Sequence, residues 1–158
     1  MKAAWYEPGE VVVENPPAEL WAAIESSALA AGRQLCVDLL TYRKGKIYLQ
    51  RRSADRRLYP NCWEPVGGHV ESGEMLLAAA ERELLEETGC TLVRVVSLVG
   101  INDWEVKKEW QKAGDNPLKR TVQLLVDVDG EPVLEMGKVS EGRWVGEEDL
   151  PGILAQNT

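Results

Sequence analysis

Residues 67–90 constrain this chain more than any other stretch: a glycine pair, a polar turn, and a long amphipathic run closed by glycine. They read Gly67-Gly68-His69-Val70-Glu71-Ser72-Gly73-Glu74, then Met75 through Glu81, then Arg82-Glu83-Leu84-Leu85-Glu86-Glu87-Thr88-Gly89-Cys90. The spacing predicts a helix over 74–88 that Gly89 stops. At helical spacing Leu76, Leu77, Ala80, Leu84 and Thr88 gather as a core-facing stripe. Glu83, Glu86 and Glu87 fall on a neighbouring side, within about 100° of one another. Ala79, one turn earlier, leaves that face open.

Three clustered glutamates oppose the helix that carries them. Glu83 and Glu87 form a like-charge i,i+4 pair that costs roughly a few tenths of a kcal/mol, and Arg82 answers only Glu86 directly. Two readings stand. The cluster is a solvated acidic face, or it is a site for a hard divalent cation. Carboxylates at this spacing suit Mg²⁺ or Mn²⁺, which keep several waters and accept phosphate oxygens. Gly67-Gly68 reads as a turn that permits positive φ and close approach, with carbonyls bare enough to join a metal shell.

Composition narrows the function classes. The chain has 158 residues, the size of one domain, with 44% hydrophobic and 28% charged residues. Eighteen lysines and arginines against 26 acids leave a net charge of −8, which disfavours long nucleic acid but admits a small polyanion when a cation mediates. No apolar run is long enough to span a bilayer, and residues 1–8 show no apolar leader. Cys36, Cys62 and Cys90 include no CxxC pair, and His69 is the only histidine, so a zinc site of the Cys/His kind is excluded. Free thiols in a reducing compartment follow, with the cytoplasm as the expected location.

Along the chain, the sequence predicts a helix over 18–31, strands over 34–42 and 47–50 joined at Lys44-Gly45, and a polar loop over 51–61. Short extended pieces flank Gly67-Gly68. Strands over 91–99 and 121–127 enclose a polar insert, 102–119, carrying Trp104 and Trp110. A strand over 143–145 and a helix over 147–155 close the chain. Without a regular βαβ alternation, the expected class is α+β, a mixed sheet covered by helices. One domain spans 1–158, with 1–33 as an N-terminal extension carrying a helix.

These residues match a known pattern. The stretch resembles the Nudix box, G-x5-E-x7-R-E-U-x-E-E-x-G-U with U apolar. Gly68, Glu74, Arg82, Glu83, Leu84, Glu86, Glu87 and Gly89 fill the fixed positions, and Cys90 stands at the final apolar one. Trp63-Glu64-Pro65-Val66 ahead of the glycines, and Arg143-Trp144-Val145 followed by Glu148-Asp149-Leu150-Pro151, also resemble that family's core. The resemblance implies a mixed β-sheet sandwiched between helices with a catalytic loop–helix–loop. It implies a hydrolase that cleaves a nucleoside diphosphate linked to a further group X, dependent on Mg²⁺ with Mn²⁺ as a substitute. Glu83 and Glu87 are then the principal metal ligands, with Glu86 and the Gly67 carbonyl as further ones. Glu74 and Arg82 fix loop to helix. The general base lies in the box or on a later loop, where Glu135 and Glu141 are candidates and Glu141 is favoured. A homodimer is the family-level expectation.

On the substrate side, Arg51-Arg52-Ser53-Ala54-Asp55-Arg56-Arg57 is a basic run in an acidic protein, and arginine suits phosphate oxygens. Arg51, Arg52 and Gly68 are the expected substrate contacts. Trp104 and Trp110 either stack on the substrate or anchor the insert. The segment 51–60 also resembles the branch containing isopentenyl-diphosphate isomerase. An isomerase of that kind needs metal-binding histidines that a chain with one histidine lacks. A non-catalytic nucleotide-binding regulator generally loses the box glutamates, and this chain retains them.

Overall fold

The computed structural model describes residues 12–157, so the reading of residues 1–8 falls outside it. The described elements are β1 (Val13–Glu14), α1 (Ala18–Ala30), β2 (Gln34–Arg43), β3 (Lys46–Arg52), β4 (Trp63–Glu64), β5 (Val66–His69), α2 (Leu76–Thr88), β6 (Thr91–Glu105), β7 (Leu118–Asp129), β8 (Val139–Val145) and α3 (Leu150–Leu154). The strands run β1-β6-β7-β2-β3-β4, with β5 on β2 and β8 on β3. β2 lies parallel to β7, while the other pairs are antiparallel. The fold is therefore α+β with a mixed sheet. Among the described residues no helix is long and apolar enough to cross a membrane.

Strand β2 organises the molecule. Its side chains alternate between faces. Leu35, Val37 and Leu39 enter a core with Trp21, Ile24 and Ala28 of α1 and Leu76, Ala80 and Leu84 of α2. Gln34, Cys36 and Asp38 face the other way, and beyond them Leu40 joins a second core with Ile47, Leu49, Trp63, Val145, Leu150 and Ile153. Helix α1 presents residues at i, i+3 and i+7 to the first core, the stripe expected of an amphipathic helix. Helix α3 covers the second core.

Several features differ from expectation, among them β8, which begins at Val139 rather than 143, and α3, which spans Leu150–Leu154 rather than 147–155. The expected insert 102–119 contributes both its ends to the sheet: Asn102, Asp103, Trp104 and Glu105 of β6 pair with Thr121, Arg120, Lys119 and Leu118 of β7. The connection between strands is thus 106–117. These strand ends are polar on both faces, with Asp103 ion-paired to Arg120 at 2.7 Å on one side, so no apolar alternation marks them. Helix α2 begins at Leu76 rather than Glu74, which stays in the loop. Ala79, expected to leave its face open, is fully buried.

Candidate active site

Gly67 and Gly68 lie within β5, not in a turn, and neither has a positive φ. They are glycine for want of space. A Cβ on Gly67 would stand 2.0 Å from the Val37 carbonyl oxygen, and one on Gly68 would stand 2.4 Å from Glu83 Oε1. β5 pairs with β2 over Asp38↔Gly67 and Val37↔Gly68, so the glycines let the α2 carboxylates press onto the sheet edge. The Gly67 amide donates to Glu87 Oε2 at 2.7 Å, and Gln50 Nε2 of β3 donates to Glu87 Oε1 at 3.3 Å.

The helix ends on Gly89 in the left-handed region at φ 76°, where its amide donates to the Leu85 carbonyl. At the other end, Glu74 and Arg82 tie loop to helix. Arg82 Nε and Nη2 donate to Glu74 at 2.8 and 2.9 Å, and Nη2 also reaches the His69 carbonyl at 3.0 Å. Arg82 does more than the helical spacing implied: Nη1 lies 2.9 Å from Glu83 Oε1 as well as 3.3 Å from Glu86 Oε2. Its hydrogen bonds hold the Glu74 carboxyl down to about 2.

The other acids are pushed the opposite way. Burial, reinforced by the charges of Glu64, Glu83 and Glu135, raises Glu87 to about 9 against the pull of the Gly67 amide. Burial raises Glu83 despite Arg82, with Glu86 and Glu135 adding to the rise. Burial followed by the Glu64 charge raises Asp38 to about 7. Glu64 itself is raised by burial, against Arg52.

Carboxyl groups are thus concentrated where they are poorly solvated, and the fully buried Gln50 Oε1 beside Glu87 has no hydrogen-bond partner. Hard oxygen donors in excess of local cations fit a divalent metal such as Mg²⁺. As positioned, no three acid, thiol or imidazole groups among the described residues converge on one point. Arg82 supplies the cation that balances Glu83 and Glu86.

Beside this cluster lies a cavity of about 450 Å³. Its floor is the polar face of β2 and β7, where the register brings Asp38 beside Gln123 and Cys36 beside Thr121. Gly67 and Gly68 border the acidic end, and Trp104, Tyr59 and Leu58 form an apolar wall. Trp104 Nε1 donates to Thr121 Oγ1 at 2.8 Å. The Tyr59 ring meets Trp104 and Trp110 edge-on, at 6.1 and 4.5 Å between centroids. Trp104 therefore faces the cavity, whereas Trp110 packs the 106–117 connection.

The strand pleat separates residues that the sequence grouped. Adjacent arginines on β3 face opposite ways. Arg52 lines the cavity, with Nη1 3.1 Å from Glu64 and Nε 2.7 Å from the Leu58 carbonyl. Arg51 lies over the Trp63 ring and donates to the Asn61 carbonyl at 3.0 Å, outside the cavity. Glu141 pairs across the sheet with Arg51, and its carboxylate meets Arg143 at 2.6 Å. It shares the face of Arg51, away from Gln50 and Glu87. Glu135 is the late-loop acid whose charge reaches both Glu83 and Glu87.

Sequence reasoning passed over Asp38, Gln50, Glu64 and Gln123. The available signal was a polar residue inside an apolar run: Asp38 in Leu35–Leu40, and Gln50 directly after Ile47-Tyr48-Leu49. Glu64, between Trp63 and Pro65, carried none.

Comparison with known proteins agrees with this fold. A stretch of 61 residues is 52% identical to the m7GpppN-mRNA hydrolase NUDT17 of Xenopus laevis, covering 38% of this chain and 20% of that protein. The Danio rerio protein of the same name is 46% identical over 71 residues, 44% of this chain and 24% of its own. The chain thus spans about a quarter or less of the length of these two relatives. The RNA pyrophosphohydrolase of Novosphingobium aromaticivorans is 30% identical over 130 residues, 73% of this chain and 78% of that one. Among solved structures, the MutT protein from Methanosarcina mazei Go1 superimposes with a TM-score of 0.59 at 27% identity, over 76% of this chain and 81% of its own. The E. coli ORF135 protein does so with 0.61 at 26% identity, over 77% and 79%. The NUDIX domain model matches residues 32–158, from just before β2 onward, and the chain belongs to the NUDIX domain family.

Proposed function

We propose that this protein hydrolyses the diphosphate of a nucleoside diphosphate linked to a group X, with Mg²⁺ as cofactor and Mn²⁺ as substitute. The observation that carries the reading is the pressing of Glu83 and Glu87 onto the Gly67-Gly68 strand, which itself borders a 450 Å³ cavity. Membership of a family whose relatives include hydrolases of capped RNA and an RNA pyrophosphohydrolase supports it.

Glu83, Glu87 and the Gly67 carbonyl would hold the metal, with Glu86 as a further or water-mediated ligand. When bound, the metal supplies charge neutralisation for the diphosphate and a lowered pKa for an attacking water. The chain's own residues do the rest. Gln50 and the Gly67 amide orient Glu87. Arg82 orients Glu83. Arg52, at the cavity wall, binds phosphate oxygens, and the Gly68 backbone lets the substrate approach closely. Glu135 accepts the proton of the attacking water. Trp104 and Tyr59 offer flat apolar surface to a nucleobase or to X.

The reading includes a cytoplasmic setting, in which Cys36, Cys62 and Cys90 remain free thiols, and a homodimer, which light scattering would test. The deciding experiment is a panel of nucleoside triphosphates, nucleotide sugars, dinucleoside polyphosphates and isoprenoid diphosphates, with phosphate and diphosphate release measured separately. Cleavage of nucleotide compounds in Mg²⁺, lost on chelation, is the expected result. Turnover of isoprenoid diphosphates alone would overturn the nucleotide assignment.

A further inference from the structure

The polar floor continues past the cavity. Along β7 the residues on the cavity face are Gln123, Thr121 and Lys119, and the register sets Lys119 beside Gln34 of β2 and Trp104 of β6. Lys119 is only 3% exposed. Its ammonium donates to the neutral amide oxygen of Gln34, and among the described residues it has no carboxylate partner. An ammonium removed from water without a counter-charge is costly. Nearby carboxylates do not relieve it: Asp103 is taken by Arg33 and Arg120, on the opposite face of the sheet.

Lys119 borders a narrow cleft that shares Leu58 and His69 with the main cavity. Arg57 and Lys112 also line it, so three cations face one carboxylate, Asp115, which is exposed and 3.9 Å from Arg57. In a chain of net charge −8 this is a local reversal of sign. The groove therefore has a polar floor, acidic at Asp38 and Glu64 and cationic at Lys119. Asp38 lies four positions along β2 from Gln34, a span of about 13 Å, which leaves room for a nucleoside between the ends.

We propose that Lys119, with Arg57 and Lys112 at its rim, forms a second anion subsite that holds a phosphate of the substrate remote from the scissile diphosphate. The inference rests on the nucleotide reading above and narrows its substrate class to compounds bearing a further phosphoryl group. That group is either a phosphate on the nucleoside's own ribose or the phosphodiester leading to a next nucleotide.

The test is calorimetric binding of three probes to the full chain in Mg²⁺: adenosine 5′-monophosphate, adenosine 3′,5′-bisphosphate, and the 5′-phosphorylated dinucleotide pApA. At least one two-phosphate probe should bind roughly tenfold more tightly than the monophosphate at low salt. Lys119→Met should erase that advantage and leave monophosphate affinity within about twofold. Whichever probe gains identifies the source of the second phosphate. Should Lys119→Met fail to fold, the exposed-rim double variant Arg57→Ala, Lys112→Ala must cut the advantage at least threefold. Equal affinities in the wild type overturn the subsite, as does an advantage that survives these substitutions. Hydrolysis of nucleoside diphosphate compounds without discrimination sinks only this inference. Failure to bind or hydrolyse any nucleotide sinks the nucleotide reading itself.

Discussion

Gly68→Ala separates catalysis from folding at one atom. The new Cβ would stand 2.4 Å from Glu83 Oε1, 2.6 Å from its carboxyl carbon and 2.8 Å from Oε2. Ordinary contact begins near 3.4 Å, so the carboxylate must retreat by about 1 Å. The obstacle is the far end of a side chain, and φ at position 68 is not in the left-handed region, so the backbone accepts alanine. A 1 Å misplacement of a group that positions the reaction costs about a hundredfold in rate, or roughly 2.7 kcal/mol. The expected variant keeps its melting temperature within a few degrees and loses about a hundredfold in kcat/KM for diphosphate hydrolysis in saturating Mg²⁺. Gly67→Ala is the control. Its Cβ would lie 2.0 Å from the Val37 carbonyl oxygen, a backbone atom of the paired strand, so stability should fall by about 1–3 kcal/mol or more. Activity above a third of wild type in Gly68→Ala, or a loss of stability matching that of Gly67→Ala, would refute the close-approach account.

Glu87 is raised from 4.5 to about 9 by burial and its acidic neighbours, so the folded chain retains a proton that the unfolded chain releases. In the metal-free protein the Glu87 contribution to stability is therefore most favourable below pH 4.5 and declines as pH rises toward about 9. Thermal melts should show Glu87→Gln flattening this decline while cutting kcat by orders of magnitude, and a melt indifferent to the substitution would refute the burial argument. Glu74 has the opposite sign: held at about 2, it contributes stability above pH 4.5 that fades as pH falls toward 2. Arg82→Ala should lower the melting temperature at pH 7 and weaken that acid dependence. Arg52→Lys should raise KM more than it lowers kcat, because lysine loses the bidentate fork. Arg51→Lys should leave both near wild type, and equal effects at the two positions would contradict the pleat assignment.

The local part of the design was legible in the sequence. Helix α2, its glycine stop, the core stripe of Leu76, Ala80 and Leu84, and the Glu74–Arg82 tie all depend on spacings within 25 residues. The rest depends on partners far apart in the chain. Asp38, Gln50, Glu64 and Gln123 become neighbours of the box only through strand register, which no short-range periodicity reports. The same pleat distinguishes Arg52 from Arg51 and turns Glu141 from the site. Glycine at 67 and 68 was readable as necessary, but the reason lay in a strand and a helix that the sequence could not place beside it. Asn102 to Glu105 escaped as strand because its two faces meet polar partners on both sides.

The most direct measurement of the central claim is Mn²⁺ binding followed by electron paramagnetic resonance, on the wild-type chain and on Glu83→Gln and Glu87→Gln. The account predicts saturable binding to the wild type, competed by Mg²⁺, weakened at least tenfold by either substitution, with the fold intact by circular dichroism. Binding of equal strength in both variants would contradict it, because the metal would then be held elsewhere.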